Sequence, residues 1–299
     1  MAMSTPLIFD RKILRARRER AAPGLPEHDF LFRHAAADVA ERLAGINRRF
    51  ARVLELGGRG GVFFDIWRPD VPPELTVSTD LSLAMARRAA ARGIPAAAAD
   101  EEHLPFAEGA FDLVVSILSL HAVNDLPGAL IQIRRALKPD GLFVGVFFGP
   151  ETLGELRESL LTAETACEGG ASPRVAPFVD VRELGNLLTR AGLALPVADS
   201  ERITVRYPSA LQLLRDIRGM GEANVLHDRQ RKPMRRETLF RMCAEYEAKY
   251  AEQDGRLPAS FELVHAAGWA PHESQQTPLK PGSATARLAE ALNARQRQP

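Results

Sequence analysis

Between residues 52 and 148, short apolar stretches alternate with segments whose apolar positions recur at helical spacing. Strands are predicted at Arg52–Leu56, Leu75–Thr79, Pro95–Ala99, Phe111–Leu118 and Leu142–Phe148. Helices are predicted between them at Ser82–Arg92 and Leu126–Leu137. The apolar run FDLVVSIL is typical of a strand that is buried on both faces. Alternating strands and helices predict a parallel sheet covered by helices on both faces.

The pattern becomes less regular after residue 150. Further helices are predicted at Glu151–Cys167, Val181–Ala191, Ser209–Arg218 and Glu237–Gln253, after an earlier helical segment within residues 28–50. Phe261–Trp269 is predicted to be a late strand that runs antiparallel and forms a hairpin with the region Leu195–Tyr207. The α/β chain should then contain a seven-stranded, mostly parallel sheet.

The same pattern predicts three parts along the chain. We expect an N-terminal helical segment at residues 1–50 and a sheet domain at residues 51–271. Within the sheet domain, a helical insertion is expected at about residues 208–256. Residues 272–299 are polar, contain proline and glycine, and are predicted to be a tail.

Composition narrows the class of protein. The 299 residues carry a formal net charge of +1, and 45% of them are hydrophobic. A large buried core is therefore available, and a general nucleic-acid or membrane-surface binder is disfavoured. No apolar run approaches the length of a membrane-spanning helix, and residues 1–20 lack the pattern of a secretory signal.

The two cysteines, Cys167 and Cys243, are far apart and form no CxxC pair. This spacing excludes a structural zinc site of the usual kind. No metal site is predicted, because none of the seven histidines forms a His-x-Asp/Glu pair. We interpret the cysteine usage as that of a reducing, cytoplasmic setting.

A basic run, RKILRARRER, occupies residues 11–20. A run of this kind is typical of a solvated surface helix. The alternative interpretation is a segment that closes over a site or binds an acidic partner.

A glycine-rich turn follows the first predicted strand, in the sequence VLELGGRGG at residues 53–61. Such a turn between a strand and a helix lets backbone N–H groups approach a ligand closely. Asp80 lies 19 residues after Gly61, about the spacing at which an acidic residue meets ribose hydroxyls in a nucleotide-binding βαβ unit. A helix N-cap is the other interpretation of Asp80. Asp100 ends the third predicted strand and could accept an adenine amino proton, or could be a solvated loop carboxylate.

The stretches ELGGRGG (55–61), DLSLAM (80–85), DEEHLPF (100–106), FDLVVS (111–116) and LKPDGLF (137–143) together resemble the class I S-adenosylmethionine-dependent methyltransferases. The resemblance covers about residues 52–150 and implies a Rossmann-like fold. It implies S-adenosylmethionine as cofactor, with Asp80 on the ribose and Asp100 on the adenine amino group. The other residues that it places around the cofactor are Glu55, Gly57, Gly58, Arg59, Gly61, Leu81, Met85, Glu101 and Ser116.

The turn departs from the family pattern at Arg59, which stands where the family has its middle glycine. A side chain there crowds the ligand, and a positive φ is uncommon for arginine. The turn could be displaced by one residue, or cofactor affinity could be reduced. The Arg59 side chain could instead bind the cofactor carboxylate.

Further stretches, including FDLVVSILSLHAVNDLPGAL (111–130) and RDIRGMGEAN (215–224), resemble the mitochondrial complex I assembly branch of this family. That resemblance covers about residues 7–286. It implies hydroxylation of an arginine on a respiratory complex I subunit, and a mitochondrial matrix location for eukaryotic relatives. A more distant resemblance is to the biotin-pathway methyltransferases that act on a malonyl thioester. Methyl transfer is the favoured interpretation; arginine hydroxylation and a non-catalytic assembly role are the alternatives.

His121, just after the fourth predicted strand, is the candidate catalytic residue, although an ordinary polar loop residue is the competing interpretation. Glu164–Phe178 is expected to form a loop over the acceptor pocket. Other candidates for that pocket are Arg218, Glu222, Asn224, His272, Glu273 and Ser274, and a solvated surface position is the competing interpretation for each.

Overall fold

A seven-stranded sheet forms the centre of the protein, and the computed structural model describes residues 7–276. Its strands are β1 (Arg52–Leu56), β2 (Leu75–Asp80), β3 (Ala96–Ala98), β4 (Phe111–Ile117), β5 (Leu137–Phe148), β6 (Ala194–Tyr207) and β7 (Leu257–Trp269). Their order is β3-β2-β1-β4-β5-β7-β6. Strands β1 to β5 are parallel, whereas β7 is antiparallel to both β5 and β6. The predicted mostly parallel sheet and its late antiparallel hairpin are confirmed.

Helices cover both faces of this sheet. They are α1 (Arg11–Ala21), α2 (Phe30–Ala44), α3 (Val62–Ile66), α4 (Leu83–Ala91), α5 (Leu126–Ala136), α6 (Gly154–Glu168), α7 (Val181–Arg190), α8 (Ala210–Gly219) and α9 (Arg236–Tyr250). Polar side chains begin several of them: Ser82, for example, accepts a hydrogen bond from the N–H of Met85 at the start of α4. Within residues 7–276, no helix has both the length and the apolar character that crossing a membrane requires.

The side chains of β4 show why its sequence is almost continuously apolar. Leu113 and Val115 pack into the core that contains α2, while Val114 packs into the core with α5 and α7 on the opposite face. All three are fully buried. Because a parallel strand in the middle of a sheet has no solvent-facing side, both sets of alternating positions are apolar.

Several boundaries differ from the sequence pattern; strand β7, for example, begins at Leu257 and not at Phe261. Strand β5 begins at Leu137, not Leu142, because Leu137 pairs with Phe111 before the register shifts at Leu113. Helix α6 begins at Gly154, after a turn in which Leu153 has a φ of 56°. Residues 277–299, most of the expected polar tail, lie outside the described residues. The division of the chain into three parts stays a prediction.

Glu55 connects β1 to the two elements beside it. Its carboxylate accepts hydrogen bonds from the N–H of Phe63 in α3 (3.0 Å) and from the hydroxyl of Ser78 in β2 (2.7 Å). Burial raises the pKa of Glu55 to about 7, although both hydrogen bonds oppose this shift. The side chain thus supports the turn from within the protein.

A pH-dependent contribution to stability follows from this raised pKa. The unfolded chain, in which Glu55 has a pKa near 4.5, loses its proton first as the pH rises. The contribution is therefore complete below about pH 4.5 and declines until about pH 7. Relative to Glu55→Gln, the free energy of unfolding of the wild type should fall by about 1–3 kcal/mol across this window.

Urea unfolding of both proteins at a series of pH values measures this difference. Glu108→Gln, at an exposed loop position, is the control. The prediction would be contradicted if the difference in free energy of unfolding between the wild type and Glu55→Gln stayed constant from pH 4.5 to 7.

Candidate functional site

The carboxyl ends of β1, β2 and β4 surround one space, which we call the crevice. The glycine turn follows β1, Asp80 ends β2, and Ser116 lies near the end of β4. Asp100 follows β3 at the next position along the sheet edge. The topology thus brings these predicted residues to the edge where ligands bind in open α/β sheets.

The turn after β1 follows a tight path. The φ angles of Gly57, Gly60 and Gly61 are 64°, 83° and 81°, and that of Arg59 is 48°. A Cβ atom at Gly57 would lie 1.9 Å from the hydroxyl oxygen of Ser119. Glycine is therefore required at position 57 both by the backbone conformation and by the closeness of the next loop.

Arg59 adopts the left-handed conformation because its side chain is held on several sides. The guanidinium donates hydrogen bonds to the carbonyl oxygens of Met220 (3.1 Å) and Leu118 (3.3 Å), and it forms an ion pair with Glu222. It also lies over the ring of Phe32, 4.8 Å from the ring centre. The side chain is 1% exposed and lies over the carboxyl end of β4, where it narrows the crevice.

Helix α1 fills the rest of the crevice with arginine side chains. Arg18 is 0% exposed. Its guanidinium lies 3.0 Å from a carboxylate oxygen of Glu101 and 3.5 Å from one of Asp80, and it donates a hydrogen bond to the hydroxyl of Ser119 (2.9 Å). Arg11, about two turns earlier on the same face of α1, pairs with Asp100 (2.6 Å) and with Glu101.

The alternative interpretation of the basic run, a segment that closes over a site, therefore matches the structure of α1. Sequence reasoning did not single out Arg11 or Arg18. The available signal was the spacing of Arg11, Leu14 and Arg18, which places them on one helical face around a fully buried leucine.

The charges in the crevice are tightly coupled. Burial raises the pKa of Glu101, but the guanidiniums of Arg18 and Arg11 and the Ser119 hydroxyl outweigh it and lower that pKa to about 2. Burial lowers the pKa of Arg18, and Asp80 and Glu101 more than reverse this shift, so that its pKa is raised. The carboxylate and both guanidiniums are consequently ionised at neutral pH.

An adenosyl group and α1 would compete for the crevice, because side chains of α1 already contact Asp80, Asp100 and Glu101. The carboxylate of Asp80 already accepts hydrogen bonds from the N–H groups of Ser82 (2.8 Å) and Arg59 (3.2 Å). The cavity between the turn and α2 measures about 10 Å³. The hydrogen-bonding groups around the crevice are of the kinds that bind a ribose, but they already hydrogen-bond to other groups of this chain.

The remaining predicted residues of the cofactor set line or support this region. Gly58 is held by a hydrogen bond from its N–H to the carbonyl of Thr79 (2.8 Å). Met85 is fully buried in the core, and Leu81 packs beside α1. The hydroxyl of Ser116 is buried without a hydrogen-bond partner among the described residues.

Beside the crevice lies a second space of about 630 Å³, which we call the lateral cavity. Its wall includes His121, Glu222 and the predicted pocket residues Arg218 and Asn224, as well as residues 174–176 and Phe178 of the loop predicted to cover it. His272, Glu273 and Ser274 do not line it.

His121 is held in this wall by one polar and two aromatic neighbours. Its Nε2 lies 3.2 Å from a carboxylate oxygen of Glu222, and its ring centre lies 4.8 Å and 5.7 Å from those of Phe148 and Phe178. Its Nδ1 is buried with no hydrogen-bond partner within residues 7–276. Burial raises the pKa of Glu222, but Arg59 and His121 reverse this and lower it well below its usual range.

A ligand set for a metal ion occurs once within the described part of the chain. Atoms of Asp100, Glu102 and His103 lie within 4.8 Å of one another. Asp100 pairs with Arg11, and Glu102 accepts a hydrogen bond from the N–H of Asn124, so this cluster already has protein partners.

Comparisons with known proteins agree with this architecture. The family model described as "Methyltransferase domain" matches residues 28–196. The mitochondrial arginine-hydroxylase NDUFAF5 of Danio rerio is 41% identical over 288 residues, which are 95% of this chain and 89% of that protein. The malonyl-[acyl-carrier protein] O-methyltransferase of Laribacter hongkongensis is 32% identical over 94% of this chain and 96% of its own length.

A solved structure shows the same fold at much lower sequence identity. Phosphoethanolamine N-methyltransferase 2 of Haemonchus contortus, in complex with S-adenosyl-L-methionine, has a TM-score of 0.53 and is 14% identical. The match covers 87% of this chain and 60% of that one. From the fold, the residue range of the family match and the two relatives, the chain belongs to the methyltransferase-domain family, in a group with arginine-hydroxylase NDUFAF5 and the malonyl-[acyl-carrier protein] O-methyltransferases.

Proposed function

We propose that this methyltransferase-fold enzyme uses S-adenosylmethionine to methylate an acceptor bound in the lateral cavity, and that α1 leaves the crevice before the cofactor enters. The observation that carries the proposal is the position of His121, which lines a cavity directly beside the crevice and whose buried Nδ1 has no hydrogen-bond partner among the described residues. The resemblance of the strand-end motifs to cofactor-binding motifs supports the choice of cofactor.

His121 is suited to accept a proton from the acceptor. When its Nε2–H donates to Glu222, the lone pair of Nδ1 is directed away from that carboxylate and is free to act as a base. Arg59 keeps Glu222 ionised and fixes its position. The arginine that replaces the family glycine therefore acts as a positioning residue in this proposal, through Glu222.

Arginine hydroxylation is the second candidate activity. One observation favours it: the crevice binds guanidinium groups, since Asp80, Asp100 and Glu101 hold Arg11 and Arg18. The name of the Danio rerio relative points the same way. A respiratory complex I subunit is then the proposed partner, on the resemblance described above. Location is proposed as cytoplasmic, or mitochondrial as in the names of the relatives.

Mass spectrometry separates the candidate activities. Complex I subunits and small-molecule acceptors are isolated from cells with and without the protein, because the cell supplies S-adenosylmethionine as well as the dioxygen and reductant that a hydroxylation consumes. A gain of a methyl group on an acceptor supports the first activity, a gain of one oxygen on an arginine supports the second, and no change supports the non-catalytic alternative.

Displacement of α1 is tested with Arg18→Ala. The substitution leaves the buried carboxylate of Asp80 without its guanidinium and Glu101 with that of Arg11 alone, which should cost about 3–5 kcal/mol of stability. It also removes a competitor for the crevice. S-adenosylmethionine should therefore raise the melting temperature of the variant more than that of the wild type, because binding to the folded state stabilises it.

Arg15→Ala, at an exposed position of the same helix, is the matched control, and Arg11→Ala is a milder variant at the partly exposed end of the crevice. Both melting and calorimetric titration report cofactor binding. The displacement of α1 would be refuted if S-adenosylmethionine raised the melting temperature of Arg18→Ala and Arg11→Ala less than that of the wild type.

The role of His121 is tested with His121→Asn. Transfer of labelled methyl groups to the small-molecule acceptors should fall by about 100-fold or more, the usual contribution of a general base, and Glu222→Gln should reduce it less. Calorimetry should show little change in the cofactor affinity of His121→Asn. His103→Asn, at an exposed loop position, is the control. Full methyl transfer by His121→Asn would exclude this residue as the base.

A further inference from the structure

The lateral cavity borders two basic spaces at the surface. The three cavities measure about 630, 680 and 500 Å³ and share Arg17 and Arg218 in their walls. The volume of the lateral cavity is in the range of sites that enclose small organic ligands. Its two ends differ in character: the inner part is apolar, and the opening carries positive charge.

The inner wall consists largely of apolar side chains from helices that pack beside the sheet. Leu156 and Leu160 come from α6, Leu214 from α8 and Leu239 from α9, while Phe178 closes the space from the loop. A ligand that fills this volume gains affinity by removing apolar surface from water. The wall thus favours an extended apolar group.

The opening is a surface that we call the basic mouth, formed by Arg17, Arg20, Arg215 and Arg218. Within residues 7–276, none of these arginines has a carboxylate oxygen within 4.0 Å. The Nη1 of Arg17 is buried and has no hydrogen-bond partner in this part of the chain. Such an unsatisfied cationic donor is costly unless a ligand supplies the acceptor.

The neighbouring charges do not neutralise the basic mouth. Arg174 and Arg229 pair with Glu164 and Asp10, respectively, on its border. The only carboxylate among the described wall residues of the three cavities is that of Glu222, which already pairs with Arg59 and His121. Burial and the cations Arg229, Arg20 and Arg218 lower the pKa of Arg17, as expected for a cation among like charges.

We propose that the lateral cavity binds an amphiphile in which an apolar chain is joined to a phosphate-type anion. The chain lies against α6, α8 and α9, and the anion lies between Arg17 and Arg218. Guanidinium groups bind phosphate through paired hydrogen bonds, and several convergent arginines suit a doubly charged anion better than a single carboxylate. The inference rests on the proposed function in taking this cavity as the acceptor site, but binding does not require catalysis.

The test is calorimetric titration of the full chain with dodecyl phosphate below its micelle concentration. One-to-one binding is expected, weakened about tenfold or more by Arg17→Gln and by Arg218→Gln, since each removes a charge-assisted contact. Inorganic phosphate and dodecyltrimethylammonium should bind at least tenfold more weakly. Arg190→Gln, at an exposed position on α7, should leave the affinity unchanged.

A second pair of variants tests the apolar part. Leu160→Trp places a large ring in the cavity wall and should abolish binding of dodecyl phosphate, whereas Leu161→Trp, at the next position of α6 where the leucine is 54% exposed, should not. Because the arginine variants change only the opening, they remain informative if Leu160→Trp does not fold.

Vesicles of phosphatidylcholine with and without phosphatidic acid distinguish the source of the ligand. Capture by the vesicles that contain phosphatidic acid assigns a membrane lipid, and binding of dodecyl phosphate alone assigns a soluble amphiphile. The proposal is overturned if dodecyl phosphate does not bind, if the cationic amphiphile or inorganic phosphate binds equally well, or if the control variants lose as much affinity as the test variants. These outcomes are independent of whether methyl transfer occurs.

Discussion

The fully buried guanidinium of Arg18 connects the parts of the candidate site. It lies between Glu101 and Asp80 and reaches Ser119. It therefore contacts residues at the carboxyl ends of β2, β3 and β4. A buried ion pair gains little net stability over an apolar contact, but loss of one partner leaves an uncompensated charge and is strongly destabilising. The carboxylates that would bind a cofactor and the helix that covers them therefore depend on each other.

Because of this dependence, α1 and a bound cofactor would compete for the same crevice. An adenosyl group would need hydrogen-bond acceptors that Arg11 and Arg18 now use, and space that their side chains fill. The free energy of cofactor binding must accordingly exceed the cost of releasing α1, which the hydration of the freed arginines partly offsets. A second set of polar contacts lies between the crevice and the lateral cavity. Glu222 pairs there with Arg59 on one side and with His121 on the other.

Much of the fold could be predicted because it depends on local pattern. The alternation of strands and helices from Arg52 to Phe148 predicts the parallel sheet, and the distance from Gly61 to Asp80 predicts an acidic residue at its carboxyl edge. The partners of those acids could not be predicted in the same way. A run of arginines is ordinarily solvated, and nothing near Arg18 in the sequence marks Glu101, 83 positions later, as its partner. Arg59 was visible as a departure from the family, yet its partner Glu222 lies 163 positions away.

The separation of these partners also bears on the order in which the molecule is made. Helix α1 precedes its partners in the chain, so Arg11 and Arg18 find their carboxylates only after residues 100–101 have been synthesised. Until then, these arginines lack their partners, and closing a loop of this length costs entropy. Helix α1 therefore docks well after its own synthesis, and the nascent chain carries an undocked basic segment in the meantime.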